Sequence, residues 1–253
     1  MHSWQTFNSW IQASTNTLAK LVSAHAGKHV ATLLEYFLSC NQILLVHINN
    51  QKQLKDELQH IISGIGRTQP KNFIETVASY LRAGEGTNKQ TEATKLSKQE
   101  ETEALEFLAT QQNLWVDKSE KLFYLAEGAE QKVYITEDGT FVLKFNDSIF
   151  YAYWLDYFIS LILHNYFFPE TAYTLIGFYK DGNHLYAVVK QPFVLIHEPT
   201  NLELIKEFLL SNGFAHKKNH DYFNEYLGLI LEDLHDENVL TNSDELFFID
   251  TVF

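Results

Sequence analysis

Near Lys121 the hydrophobic pattern of this chain changes period, and that change limits what it can fold into. Before it, apolar residues recur at helical spacing. Leu18, Leu21, Val22 and His25 share one face, and Val30, Leu33, Leu34, Phe37 and Leu38 follow. Ile43–Ile48 is a short apolar run of strand or helix type. Asp56–Ile65 reads as a helix stopping near Gly64 and Gly66. Pro70 marks the start of another that carries Phe73, Ile74, Val77, Tyr80 and Leu81. After Lys121 the pattern alternates, with strands expected at Leu122–Leu125, Lys132–Thr136 and Thr140–Phe145 and a turn at Glu137-Asp138-Gly139. A helix over Ser148–Phe167 follows, stopped by Pro169, then strands at Tyr173–Tyr179 and His184–Lys190. Leu202–Ser211 reads as a helix with Gly213 as its cap, Tyr222–Ile230 as helix or strand, and Leu246–Ile249 as a last strand.

The two halves meet in a polar stretch, residues 83–99, with two glycines and one large apolar residue, Leu96. It is the expected linker, which puts a helical region at 1–95 and a second domain at 96–253. Ser97 and Glu100 have the spacing of a capping box for a helix reaching Gln112. The order of elements predicts an α+β chain. An antiparallel sheet packs on one long helix, and a smaller helical lobe follows.

Composition narrows the function. Nineteen basic residues face thirty-two acidic ones, a net charge of −13, and arginine occurs only at Arg67 and Arg82. A broad nucleic-acid surface is therefore not expected. A nucleotide is not excluded, because a bound metal ion inverts local charge. Cys40 is the only cysteine, so a disulfide within the chain and a cysteine-based zinc cluster are excluded, and a reducing, cytoplasmic setting is expected. The first residues lack the basic-then-apolar pattern of a signal peptide. The apolar stretch Phe150–Phe168 is interrupted by Asp156, Ser160, His164 and Asn165, so no membrane span is expected.

The chemistry concentrates in Leu231–Phe253, which holds Asp233-Leu-His-Asp-Glu-Asn238, an apolar strand and Asp250. Transfer of a phosphoryl group needs a carboxylate to orient and deprotonate a hydroxyl, oxygen ligands for magnesium, and a cation on the nucleotide phosphates. Asp233 suits the first role, Asn238 and Asp250 the second, and Lys144, on its strand, the third. Taken singly, each fragment also fits a bonded loop or a strand-end lysine.

At these residues the chain resembles the protein-kinase superfamily. Asp233, Leu234 and Asn238 match its catalytic loop, FVLK ending at Lys144 its lysine strand, and FFID ending at Asp250 its metal-binding strand. The DLHDEN form is closer to aminoglycoside-type phosphotransferases. EGAEQKVYI looks like a degenerate glycine-rich loop, with Gly128 and Val133 over the nucleotide. VVKQPFV falls where the hinge receives adenine, through backbone groups of Gln191, Pro192 and Phe193. From about Glu100 onward the pattern most resembles the kinase-like domain of polyvalent proteins of phages and conjugative elements. The resemblance implies an ATP- and magnesium-dependent kinase acting on a hydroxyl-bearing protein or small molecule. A pseudoenzyme that binds nucleotide or partner, and a small-molecule phosphotransferase, are the alternatives.

The departures are specific. Leu231 and Glu232 stand where the family has His and Arg, and two loop glycines are missing. The sequence runs three residues past Asp250, so no activation segment or peptide platform is expected there. Asp156 and Glu170 are the candidates for the helix carboxylate that pairs with the lysine. Glu130 could pair with Lys144 or sit on the strand surface. His235 is expected to support the loop, and His164-Asn165 to be a satisfied core or capping pair.

Overall fold

The computed structural model describes residues 51–64, 72–84, 95–117, 122–196, 198–242 and 245–253. The expectations for residues 1–50, for Cys40, for Gly66 and Pro70, and for 85–94 of the linker lie outside the described residues. The chain divides into two compact units, Met1–Leu54 and Lys55–Phe253. The second unit includes helices on both sides of the expected linker.

Helix α1 is described over residues 51–63. It ends at Gly64, whose φ of 69° is a left-handed value that glycine adopts without strain. Helix α2 (Phe73–Gly84) starts where the Asn72 side chain accepts the Glu75 N–H at 2.9 Å. Helix α3 (Lys98–Gln111) opens with the capping box expected from the sequence: Ser97 accepts the Glu100 N–H, and the Glu100 carboxylate accepts the Ser97 N–H at 2.7 Å.

A five-stranded antiparallel sheet follows, built from β1 (Leu122–Glu127), β2 (Gln131–Thr136), β3 (Phe141–Asn146), β4 (Thr174–Asp181) and β5 (His184–Pro192) in the order β1-β2-β3-β5-β4. Helix α4 (Trp154–Phe167) interrupts it in sequence and packs on it in space. Nine of its residues are buried, because α2 and α3 lie against it as well as the sheet. Trp154 and Phe158 are nearly inaccessible, and Phe158 meets Phe178 of β4 edge to face. Full burial of each such side chain is worth about 1.5–3 kcal/mol.

α4 starts six residues later than its hydrophobic pattern suggests. The Asn146 side chain takes the Ser148 N–H at 2.7 Å, Ser148 is left-handed at φ 55°, and the intervening residues form turns. No local side chain caps the helix. Glu101 of α3 does so, accepting the Trp154 and Leu155 N–H groups at 2.6 and 3.3 Å. Lys98, one turn earlier, donates to the Ser148 and Tyr151 carbonyls.

Beyond β5 the described residues hold one helix, α5 (Leu202–Ser211), and five short strands. β6 (Ala215–Lys218), β7 (Asp221–Asn224) and β8 (Leu229–Leu231) form one small sheet, and β9 (Val239–Asn242) and β10 (Glu245–Phe248) another. The α+β class stands, but this lobe is richer in strand than the helical lobe expected. The segment 222–230 resolves as β7, a turn and β8. Among the described residues, no helix is long and apolar enough to cross a membrane.

Candidate functional site

β3 lies between β2 and β5, so every residue on its cleft side is walled by a neighbouring strand. Lys144 is on that side and is 5% exposed. Its ammonium donates to the Ile249 carbonyl at 2.7 Å and to the Tyr173 hydroxyl at 3.3 Å, and lies 3.6 Å from Asp250 Oδ2. Burial lowers the Lys144 pKa, opposed by the charges of Asp250 and Glu130. Tyr173 also donates to the Ile249 carbonyl, at 2.7 Å, so lysine and tyrosine grip the residue just before Asp250.

Asp250 is held from both sides. Its own N–H and that of Ile249 donate to the Asn238 carbonyl at 3.2 and 2.9 Å, and Gln131 of β2 donates to its carboxylate. The following residue, Thr251, bonds through its hydroxyl to His164 Nδ1 of α4 at 2.7 Å. His164 is the satisfied core residue expected, with its other nitrogen on the Thr171 carbonyl. Burial lowers its pKa to about 4. Phe253 stacks on Phe167, and Glu232 and Val252 form a β-bridge.

The loop between β8 and β9 carries Asp233, which is exposed and left-handed at φ 61°. Such a conformation is uncommon for a residue with a side chain and persists only where surrounding bonds hold it. Here the Asp233 N–H goes to Asp221 Oδ1 at 3.1 Å. The Asn238 amide nitrogen donates to the Asp233 carbonyl at 2.8 Å and to its carboxylate at 3.2 Å. His235 Nε2 lies 3.3 Å from the other carboxylate oxygen. With its nitrogen so engaged, Oδ1 is the Asn238 side-chain atom that could hold a cation. That oxygen and the Asp250 carboxylate fit magnesium, which takes few protein ligands and completes its shell with water and phosphate oxygens. Among the described residues, no group of three or more His, Cys, Asp or Glu side chains could hold a metal by itself.

Two adjoining cavities share this centre. One, of about 520 Å³, is walled by Val133, Val142, Leu240 and Ile249; Gly128, Lys144, Gln191, Pro192, Phe193, Asn238 and Asp250 also line it. The other, of about 610 Å³, is lined by Asp233, His235, Tyr151 and Phe253. Gly128, Gln131, Glu237, Asn238 and Asp250 belong to both. Each catalytic, nucleotide-binding and metal residue expected from the sequence therefore lines one of the two.

The hinge differs in detail from the expectation. β5 keeps its register with β3 through Pro192, and the Phe193 N–H is engaged by the Thr140 carbonyl at 2.9 Å. Proline has no N–H, so neither residue can donate to a purine edge. Gln191 is buried, and its side chain donates to the Thr171 carbonyl at 2.7 Å.

Neither helix carboxylate expected to partner Lys144 reaches it. Asp156 lies 3.4 Å from Lys95, and Glu170 lines a separate aromatic cavity beside Phe168 and Phe208. Glu130, in the β1–β2 turn, is not on the strand surface. Its Oε2 is buried without a hydrogen-bond partner. Burial, then the charge of Asp250, push its carboxyl up to about 7, against a hydrogen bond from Asn146. Gln131, Tyr173 and Leu240 also belong to the site. Gln131 falls within EGAEQKVYI and Tyr173 heads an expected strand, but the sequence assigned a role to none of the three.

A lysine on the third strand of a five-stranded sheet, facing a loop asparagine and a strand-end aspartate across one cleft, defines a kinase-like phosphotransfer fold. Residues 98–253 match the family model described as Serine/Threonine/Tyrosine Kinase found in polyvalent proteins. The chain belongs to that family. A comparison with curated proteins gave no match.

Proposed function

We propose that residues 98–253 are an ATP- and magnesium-dependent phosphotransferase that moves the γ-phosphate to a hydroxyl. The observation that carries this reading is the 3.6 Å approach of Lys144 to Asp250, with Asn238 bonded to the same segment, where two cavities meet. The cavity under Val133 and Val142 takes the nucleotide. Lys144 neutralises its α- and β-phosphates, and the open space beside Gly128, where an added Cβ would meet nothing, admits them. Val194 follows the engaged donors of the hinge and is the candidate to bond the purine edge.

Magnesium, when bound, would neutralise charge on the β- and γ-phosphates, and Asn238 Oδ1 and the Asp250 carboxylate would hold it. Asp233, in the second cavity, orients the acceptor hydroxyl and takes its proton. The acceptor oxygen bonds to the γ-phosphorus, the bond to the β-bridging oxygen breaks, and ADP leaves. Glu232, Glu237 and Asp156 line that cavity too, and no lysine or arginine does. An acceptor carrying amines, peptide or small molecule, suits such a lining.

The test is transfer of label from radiolabelled ATP with magnesium, to protein in a lysate and to amine-bearing small molecules, by wild type, Asp233→Ala and Asp250→Ala. Loss of at least two orders of magnitude in both variants is expected, each tenfold being about 1.4 kcal/mol of barrier. Undiminished transfer by Asp233→Ala rejects its role. A nucleotide-binding pseudoenzyme is the second reading, favoured by the ammonium of Lys144 already bonded to Ile249 and by Ala129 and Glu130 in the loop. Binding of ATP without transfer to any acceptor selects it.

A further inference from the structure

Lys144 is buried, and its nearest carboxylate is Asp250. In the proposed phosphotransferase, Asp250 gives its charge to a metal ion once nucleotide is bound. A buried ammonium left with a carbonyl and a hydroxyl needs a second carboxylate. The described helices do not supply one. Asp156 is the only acid on α4 and is engaged by Lys95, and Glu101 caps α4.

Glu130 stands where that carboxylate is missing. The β1–β2 turn is closed by the Gly128 N–H on the Gln131 carbonyl, and the Glu130 carbonyl accepts the Asp147 N–H at 3.1 Å, so the residue is fixed at the open end of the sheet. Its side chain enters the interior beside Asn146, feels the charges of Asp250, Asp147 and Lys144, and acts on Tyr151 and Tyr157 at the start of α4. It lines the second cavity together with Asp250, Tyr151 and Asp156, with one buried oxygen that bonds to nothing. A buried oxygen without a partner is rare in a settled interior and calls for a role in another state.

We propose that Glu130, a carboxylate carried by the turn over the nucleotide rather than by the helix, is the positioning residue for Lys144 in the nucleotide-loaded state. The inference rests on the assignment of the Val133–Val142 cavity to a nucleotide. When Asp250 turns to the metal, the free oxygen of Glu130 takes over the ammonium and holds it at the phosphates. The turn that covers the nucleotide then also senses it.

The experiment is a double-mutant cycle on the full chain. The probe is magnesium with the ATP analogue whose β–γ bridge is an imido group, and dissociation constants come from calorimetry. Glu130→Gln is expected to weaken binding about tenfold in the native background and less than about twofold in a Lys144→Met background. Glu130→Asp, which keeps the charge, recovers part of the loss. Equal effects of Glu130→Gln in both backgrounds, no effect in either, or a Glu130→Asp as weak as Glu130→Gln overturn the assignment. Melting of the unliganded variants identifies any that are misfolded, and Glu130→Asp then carries the comparison. Absence of binding by the wild type overturns the nucleotide reading itself, whereas equal binding by wild type and variant overturns only the role of Glu130.

Discussion

Replacing Glu130 with glutamine is expected to make this protein more stable at neutral and alkaline pH, where the buried carboxylate is charged. Burial, then Asp250, then Asp147 raise the carboxyl from its ordinary 4.5 to about 7, against Asn146 and Lys144. In the unfolded chain the group ionises near 4.5. Between 4.5 and 7 the folded protein keeps a proton that the unfolded chain has lost, so stability declines as pH rises through this window and levels off above it. At about 1.4 kcal/mol for each tenfold change in proton affinity, this difference sets a ceiling of about 3 kcal/mol. Part of the side chain meets solvent, which screens the interaction, so about 1–2 kcal/mol is the working figure. Glutamine keeps an oxygen for Asn146 and carries no charge. Urea midpoints of wild type and Glu130→Gln, measured at pH 5 and pH 8, are the assay. The variant is expected to gain about 1–2 kcal/mol on the wild type between those pH values. A difference that does not change with pH, or a wild type favoured at pH 8, refutes the account of a strained carboxylate.

His164 works in the opposite sense. Its pKa is lowered from 6.5 to about 4, chiefly by burial, so the unfolded chain takes up a proton below 6.5 that the folded protein refuses. Stability is expected to fall by about 2–3 kcal/mol from pH 6.5 to pH 4, and His164→Gln to remove that slope in urea midpoints. Gly177 sits at the bulge in β4, where an added Cβ would run into the Leu114 carbonyl oxygen and displace backbone. Gly177→Ala is expected to cost more than about 2 kcal/mol, read as a lowered melting temperature, and an unchanged melt would refute the clash.

The sequence revealed what local chemistry controls. Alternation placed β1, β2 and β3 to within two residues, Ser97 and Glu100 marked the start of α3, and the spacing Asp233, Asn238 and Asp250 brought three groups to one centre. What it hid is set by distant partners. The start of α4 depends on Glu101, more than fifty residues away, and on the left-handed Ser148. β6, with the sequence Ala-His-Lys-Lys, has no apolar face and is a strand only because β7 pairs with it. No strand was expected over β9, whose four residues are ordered by pairing with β10. The hinge donors are lost because β5 continues two residues beyond its apolar run. The burial of Glu130 follows from a turn folding inward, and no periodicity reports that.

The segment around Asp250 has one further consequence. Ile249 and Asp250 are hydrogen-bonded to Asn238 in the strand-rich lobe and Thr251 to His164 in α4, and Phe253 stacks on Phe167. The chain therefore crosses between the lobes twice, once after Pro192 and once around Asp250. Two halves joined by a single strap can open like a shell; a second strap, tied by hydrogen bonds to both halves, restricts that opening.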